Sequence, residues 1–339
     1  MGKVLVTGGA GYIGSHTIVD LLDNGWEVVS IDNFLNSTPR ALERIRQITG
    51  VSVTNYAVDL CDKTATARVL EQEKNIQGII HFAALKSVPD SVRRPLMYYH
   101  NNLLSLINLM ELIDLFGIKH FVFSSSCSVY GNTDALPVTE NTPLGKAESP
   151  YAHTKQICEE IIRYHAVNTQ VKFILLRYFN PAGAHPSGLL GEDNTDQVTA
   201  IVPRITGTAI GKFDIFTVFG NDYPTRDGSC IRDYVHVMDI ARAHTLALAY
   251  LLSNTGAQQV ETFNLGTGQG ISVLEAIRSF EKVTQQKLRY TIGPRRSGDV
   301  VTIYADNRLA REKLGWQPRY TLDDMMRTAW EWEKNLTKR

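Results

Sequence analysis

A tyrosine and a lysine stand four residues apart in S-P-Y-A-H-T-K, at 149 to 155. Serine is favoured at a helix N-cap and proline at the first helical position, so Ser149-Pro150 predicts a helix start. Tyr151 and Lys155 then lie one turn apart on the same face. A phenol titrating near ~10 is a poor base at neutral pH. A neighbouring ammonium favours the phenolate and lowers that value, which would make the tyrosine a proton acceptor and donor. A third group lies upstream, in S-S-S at 124 to 126, where a hydroxyl could orient a substrate alcohol or relay its proton. Alone, Y-x-x-x-K is a common surface pair. Its meaning depends on the elements that carry it.

Those elements alternate through the first half. Short β-rich runs occur at 3 to 7, 26 to 32, 78 to 84, 120 to 126 and 173 to 179. Between them 95 to 116 places Leu103, Leu106, Ile107, Met110 and Ile113 at helical spacing. Near-continuous apolar strands separated by helices predict an α/β fold with a doubly wound parallel Rossmann sheet. Ligands are then expected beyond the carboxyl ends of the strands. After N-P-A-G-A-H-P-S-G (180 to 188) glycine, proline and aspartate become frequent and the helices shorten. The expected division is a dinucleotide-binding domain over 1–180 and a smaller C-terminal substrate-binding domain over 181–339. Segments near 232–250 should return to the first domain, because R-D-Y-V-H-V-M-D (232 to 239) reads as strand entering helix.

G-G-A-G-Y-I-G, at 8 to 14, follows the first strand and opens a helix. Gly8, Gly11 and Gly14 depart from the G-x-G-x-x-G spacing but meet the same demands. These are a tight turn, close approach of backbone to a pyrophosphate, and a helix packed on its strand. Asp32 ends the second strand, where a carboxylate accepts both ribose hydroxyls and repels a 2′-phosphate. That selects NAD over NADP. Asp59-Leu60 are expected to end the third strand, beside the adenine. The positive nicotinamide would then join Lys155 in lowering the Tyr151 pKa.

Composition narrows the classes. Thirty-five basic and thirty-five acidic side chains leave no net charge to draw the chain to nucleic acid or an acidic membrane. No run approaches the ~18 apolar residues of a spanning helix. The start, M-G-K-V-L-V-T-G, enters a strand at once and lacks the pattern of a secretory signal. Cys61, Cys127, Cys158 and Cys230 show neither C-x-x-C spacing nor a disulfide framework. The expectation is a reduced, cytoplasmic enzyme without a metal.

Several stretches together carry a resemblance: V-T-G-G-A-G-Y-I-G-S-H-T, S-I-D-N-F-L-N-S, H-F-A-A-L-K-S-V, F-S-S-S-C-S-V-Y-G, S-P-Y-A-H-T-K, L-R-Y-F-N-P-A-G-A-H-P-S-G, F-G-N-D-Y-P-T-R-D-G and I-R-D-Y-V-H-V-M-D. From Met1 to about Trp332 the chain resembles the extended short-chain dehydrogenase/reductases, and among them the isomerases that interconvert UDP-glucose and UDP-galactose. The resemblance implies an NAD that stays bound and is regenerated in each turnover, with a 4-keto sugar that turns its other face before reduction. Tyr151 would take the 4-hydroxyl proton, Lys155 would hold the cofactor ribose, and Ser126 would bridge hydroxyl and phenol.

Further cofactor contacts implied by the resemblance are Tyr12, Ile13, Asn33, Asn36 and Ser37. To these it adds Phe82, Ala83, Ala84 and Lys86, then Asn101 and Phe179. For the UDP-sugar it implies Lys86, Ser126, Tyr151 and Asn180, with Arg232 and Arg296 as diphosphate clamps and Asp299 on the uridine ribose. The sugar must be free to rotate, so affinity is expected to come from the uridine diphosphate. A homodimer is implied, through 95 to 116 and 151 to 166.

Three departures matter. Related dehydratases resemble T-D-E-V-Y-G where this chain has S-C-S-V-Y-G (126 to 131), so Cys127 and Ser128 replace the carboxylates that dehydration needs. A family run resembling N-N-L-M-P-Y is T-A-I-V-P-R here (199 to 204), so Ala200 and Arg204 replace an asparagine and a tyrosine. Ile303 occupies a position where a bulky tyrosine is associated with rejecting N-acetylated sugars. UDP-N-acetylglucosamine or a UDP-pentose is therefore the alternative substrate. A non-catalytic NAD-binding regulator is the rival from another class; such proteins lack the Tyr/Lys pair.

Overall fold

Side chains alternate faces along a strand, so a run apolar on both faces needs cover on both sides. The computed structural model, which describes residues 2–193, 198, 200–253, 258–296 and 300–337, shows that cover. Among the described residues seven parallel strands form one sheet: β1 (Lys3–Thr7), β2 (Glu27–Ile31), β3 (Thr54–Tyr56), β4 (Ile76–His81), β5 (His120–Ser124), β6 (Lys172–Tyr178) and β7 (Val260–Leu265). Their order is β7-β6-β5-β4-β1-β2-β3. The principal helices are α1 (Tyr12–Asp23), α2 (Pro95–Leu115), α3 (Pro150–Ala166) and α4 (Val237–Ser253).

Val4, Val6, Ile80, Val122 and Ile174 pack one face against Ile18 of α1 and Ile240 and Leu248 of α4. Leu5, Ile79, Phe121 and Phe173 pack the other against Leu106 and Leu109 of α2 and Ile162 of α3. A separate apolar cluster, with Ile205, Phe216, Phe280 and Met326, forms within the second half of the chain.

Two expectations shift. Asp59 and Leu60 do not end the third strand, which stops at Tyr56. The Asp59 carboxylate instead accepts the Cys61 N–H at 2.9 Å, a local turn that competes with the ladder. The return to the sheet also runs past 250. Beyond α4, which packs against α1, β7 pairs with β6 along its length. Its polar residues hide it in the sequence: Glu261 is buried yet paired with Lys313, and Asn264 bonds Tyr130 at 2.6 Å.

Strand order reverses at β1, which lies between β4 and β2, and a crevice opens beyond their ends. One buried ion pair fixes α3 beside it. Glu159, 1% exposed, accepts from Arg177 Nε at 2.9 Å and Nη2 at 2.5 Å, and from Ser125 Oγ at 2.6 Å. Glu159→Ala leaves Arg177 buried and unpaired, with an expected loss of roughly 3–5 kcal/mol. Urea unfolding measures this; a loss below about 1 kcal/mol would show that the pair does not secure the junction.

Candidate active site

Ser149 caps α3 by accepting the Ala152 N–H at 3.2 Å, with Pro150 next, as the sequence predicts. One turn then presents Tyr151 and Lys155 inward, 9% and 4% exposed. The three serines ending β5 divide the work of receiving that helix. The Ser124 carbonyl accepts from Lys155 Nζ at 2.7 Å, and its hydroxyl donates to the Tyr178 hydroxyl at 3.0 Å. Ser125 holds Glu159. Ser126 accepts the Ser128 N–H at 3.2 Å, starting the short turn Cys127–Tyr130, and its side chain stands near enough to the Tyr151 phenol to favour the phenolate.

The electrostatics differ from expectation. Burial pushes the Tyr151 pKa above its ordinary value, the nearby Tyr178 phenol adds to this, and the Ser126 side chain opposes it. Lys155 directs its ammonium to the Ser124 carbonyl and over the Phe123 ring, 4.7 Å from its centre. Burial lowers the Lys155 pKa to about 8, against the opposing influence of Cys158 and Glu159. The protein's own groups therefore hold the phenol protonated. Burial also pushes the Cys127 thiol up to about 12, which makes it a packing group rather than a proton donor or acceptor at neutral pH.

Beyond the ends of β1 and β4 lies a cavity of about 920 Å³. Its wall includes Gly8, Gly11, Tyr12, Ile13, Gly14, Asp32, Asn33, Asn36, Ser37, Asp59, Leu60, Phe82, Ala83, Ala84, Lys86, Asn101, Tyr151 and Lys155. The residues present fit a dinucleotide. Gly8 has φ +70°, and a Cβ there would stand 2.8 Å from the Ala83 nitrogen. Gly11 caps α1 without a side-chain bond, leaving the first helical N–H groups to a ligand. Asp32 Oδ2 accepts the Ala10 N–H at 2.9 Å, while Oδ1 accepts from Ser37 Oγ at 2.7 Å. Oδ1 also accepts the Phe34 N–H at 2.9 Å, so the carboxylate braces the glycine turn and keeps one lone pair, on Oδ2, for a ribose hydroxyl.

Other expected residues stand apart from that wall. The Phe179 ring is buried in the core, and Tyr178 lines the cavity in its place. Ser126, Asn180, Arg232 and Arg296 are not on the wall. Asn180 bonds the Asp233 carbonyl through its backbone N–H at 2.9 Å. Arg232 donates through Nη1 to the Ile231 carbonyl at 2.9 Å and acts electrostatically on Cys127 and on Tyr234. Arg296 sits over the half-exposed Phe219 ring, 5.4 Å from its centre. Asp299 lies outside the described residues. Ala200 caps the helix Ile201–Ala209 without a side-chain bond, and Arg204 stacks on Phe213 at 3.9 Å rather than facing solvent. Ile303 is buried and pairs in register with Arg232. Sequence reasoning missed Tyr178, Glu192 and Asp193. Tyr178 carries a signal, as a polar residue ending an apolar strand; the two acids carry none before the fold brings them to the wall.

Known proteins match this chain along nearly its whole length. The family model described as GDP-mannose 4,6 dehydratase matches residues 5–329. The UDP-glucose 4-epimerase of Bacillus subtilis is 47% identical over 98% of this chain and 97% of its own. The chain belongs to the UDP-glucose 4-epimerase family. The UDP-glucose 4-epimerase structure from Stenotrophomonas maltophila, with bound NAD and formylated UDP-arabinopyranose, superposes with TM-score 0.96 and 42% identity, covering 100% of this chain and 99% of that one. The UDP-Glc/GlcNAc 4-epimerase of Campylobacter jejuni matches with TM-score 0.85 and 36% identity, covering 99% and 100%.

The Lys155 pKa gives a pH test. Folding lowers it from 10.5 to about 8, so between those values the unfolded chain binds more protons and native stability rises with pH. That contribution is complete above 10.5 and is lost as pH falls through about 8. Between pH ~8 and ~10 the wild type should gain on Lys155→Met by up to the order of 3 kcal/mol, read by urea titration. Parallel curves for the two proteins would refute the buried ammonium.

Proposed function

We propose that the chain interconverts UDP-glucose and UDP-galactose at sugar C4, with NAD held in the cavity beyond β1 and β4. One observation carries the reading: a buried phenol, a buried ammonium and a serine hydroxyl meet at the edge of a dinucleotide-shaped cavity. NAD bound there supplies a hydride acceptor and, once reduced, the donor.

The proton chemistry belongs to the chain. Tyr151 takes the 4-hydroxyl proton as C4 is oxidised and returns it to the oxygen of the 4-keto sugar when either face of C4 is reduced. Ser126 bridges the sugar oxygen and the phenol. Burial makes the phenol a strong proton holder, suited to returning the proton; accepting it requires added positive charge nearby. Lys155, mostly charged below its pKa of about 8, orients the cofactor ribose, while the added charge comes with the oxidised cofactor. Gly8, Gly11, Gly14 and the uncapped start of α1 bind the cofactor diphosphate, and Asp32 its adenosine ribose. The remaining wall residues shape the cofactor site. Asn180, Arg232, Arg296 and Asp299 are proposed for the UDP-sugar, with Phe219 offering an apolar ring beside Arg296 for a base.

A second reading has specific support. The Campylobacter jejuni relative acts on both UDP-Glc and UDP-GlcNAc, and Ile303 beside Arg232 leaves more room than a tyrosine. The formylated UDP-arabinopyranose bound to the Stenotrophomonas maltophila protein supports tolerance toward a pentose. Ile303→Tyr should cut turnover of the N-acetylhexosamine pair at least about tenfold against the hexose pair, a cost typical of a steric pocket. Unchanged discrimination would end this reading.

The substrate domain remains 181–339, with its returns to the sheet. A homodimer through α2 and α3 is proposed from Leu96, Leu115, Tyr164 and Val167, apolar side chains exposed at the ends of these two helices. No helix among the described residues is long and apolar enough to cross a membrane. The four free cysteines favour a reducing cytoplasm. Tyr151→Phe tests the central role: turnover should fall about 10²–10⁴-fold while NAD stays bound. Near-normal turnover would remove Tyr151 as the proton carrier.

A further inference from the structure

Leu190, Gly191, Glu192 and Asp193 all line the cavity. Their backbone is pinned from behind. The Glu192 carbonyl accepts the Trp332 Nε1–H at 3.1 Å, and the Leu190 carbonyl lies 3.3 Å from His16 Nε2. Their two acidic side chains then reach apart. Glu192 pairs with Lys86 at 2.9 Å, from the loop after β4, while Asp193 pairs with Arg44 at 3.1 Å, from the helix Arg40–Thr49 after β2. Lys86 also lies over the Tyr12 ring, 5.9 Å from its centre, at the first residue of α1. Arg44 stacks on Trp332 at 4.5 Å. The two ion pairs therefore flank the glycine turn, one on its β4 side and one on its β2 side.

Bare carboxylates in this place would repel a diphosphate bound at the turn. Paired, they are neutralised, and the segment can line the cavity. We infer that Glu192 and Asp193 are positioning residues of the cofactor site, clasping residues 190–193 to Lys86 and Arg44 so that the dinucleotide leaves only when the clasp opens. This rests on the proposed NAD site. It also gives Lys86 two tasks: closing the site, and presenting its ammonium beside the diphosphate.

The two halves of the clasp differ in exposure. Lys86 is 64% exposed, so its pair is screened by salt; Arg44 is 3% and Asp193 32% exposed, so that pair is screened less. The test is release of labelled NAD from the loaded protein into excess unlabelled NAD, at low and high salt. The parent should release faster at high salt. Glu192→Gln should release several-fold faster at low salt and lose most of the salt dependence. Asp193→Asn should release about tenfold faster at either salt. Should Asp193→Asn fail to fold, Glu192→Gln, at the exposed pair, decides. Parent and variants releasing at one rate, with one salt dependence, overturn the clasp and leave the NAD site standing. A parent that takes up no NAD overturns both.

Discussion

An ammonium buried against a backbone carbonyl constrains everything around the site. Lys155 is withdrawn from water, and the Ser124 carbonyl, the Phe123 ring and the Glu159 carboxylate one turn away offset that cost. These partners exist only if α3 meets the end of β5 in one register. Sliding the helix by a residue would unpair Lys155 and Glu159 together, leaving two buried charges without partners. That penalty places Tyr151 beside Ser126 and keeps it there. The same serines that end the strand receive the helix, so sheet and catalytic face share one set of bonds.

The opposite side of the crevice is built by a different economy. Close approach there is a matter of absent side chains at Gly8 and Gly14 and of a helix start left uncapped. Asp32 stabilises that bare turn from the next strand by accepting the Ala10 N–H. One side is thus dense with satisfied polar groups, and the other keeps its donors unspent for a ligand. The proposed reactive atoms lie where the two meet, at the topological switch of the sheet.

Much of this was legible in the residues. The capping Ser149, the proline after it and the four-residue spacing predict the catalytic turn without knowledge of the rest. The glycine turn and Asp32 predict the cofactor end, because each answers a local backbone demand. Three things were not legible. β7 is an edge strand whose buried Glu261 and Asn264 find partners far away in sequence, so its pattern imitates a loop. The clasp joins residues separated by more than a hundred positions, and a G-E-D run gives no sign of facing a cavity. Finally, spacing on a helix does not tell which way a long lysine turns. The pairing of Tyr151 with Lys155 suggested direct electrostatic help; the fold spends the ammonium on Ser124 and leaves the phenol governed by burial.

The protein alone holds Tyr151 protonated, and in the proposed mechanism the loaded cofactor makes it ionisable. Ultraviolet difference titration of wild type against Tyr151→Phe isolates this one phenol, with NAD bound and with NAD stripped. The account predicts ionisation well above the ordinary tyrosine range in the stripped protein and a shift toward neutral pH in the loaded one. The same titration point in both states, or a higher one with NAD bound, would contradict it.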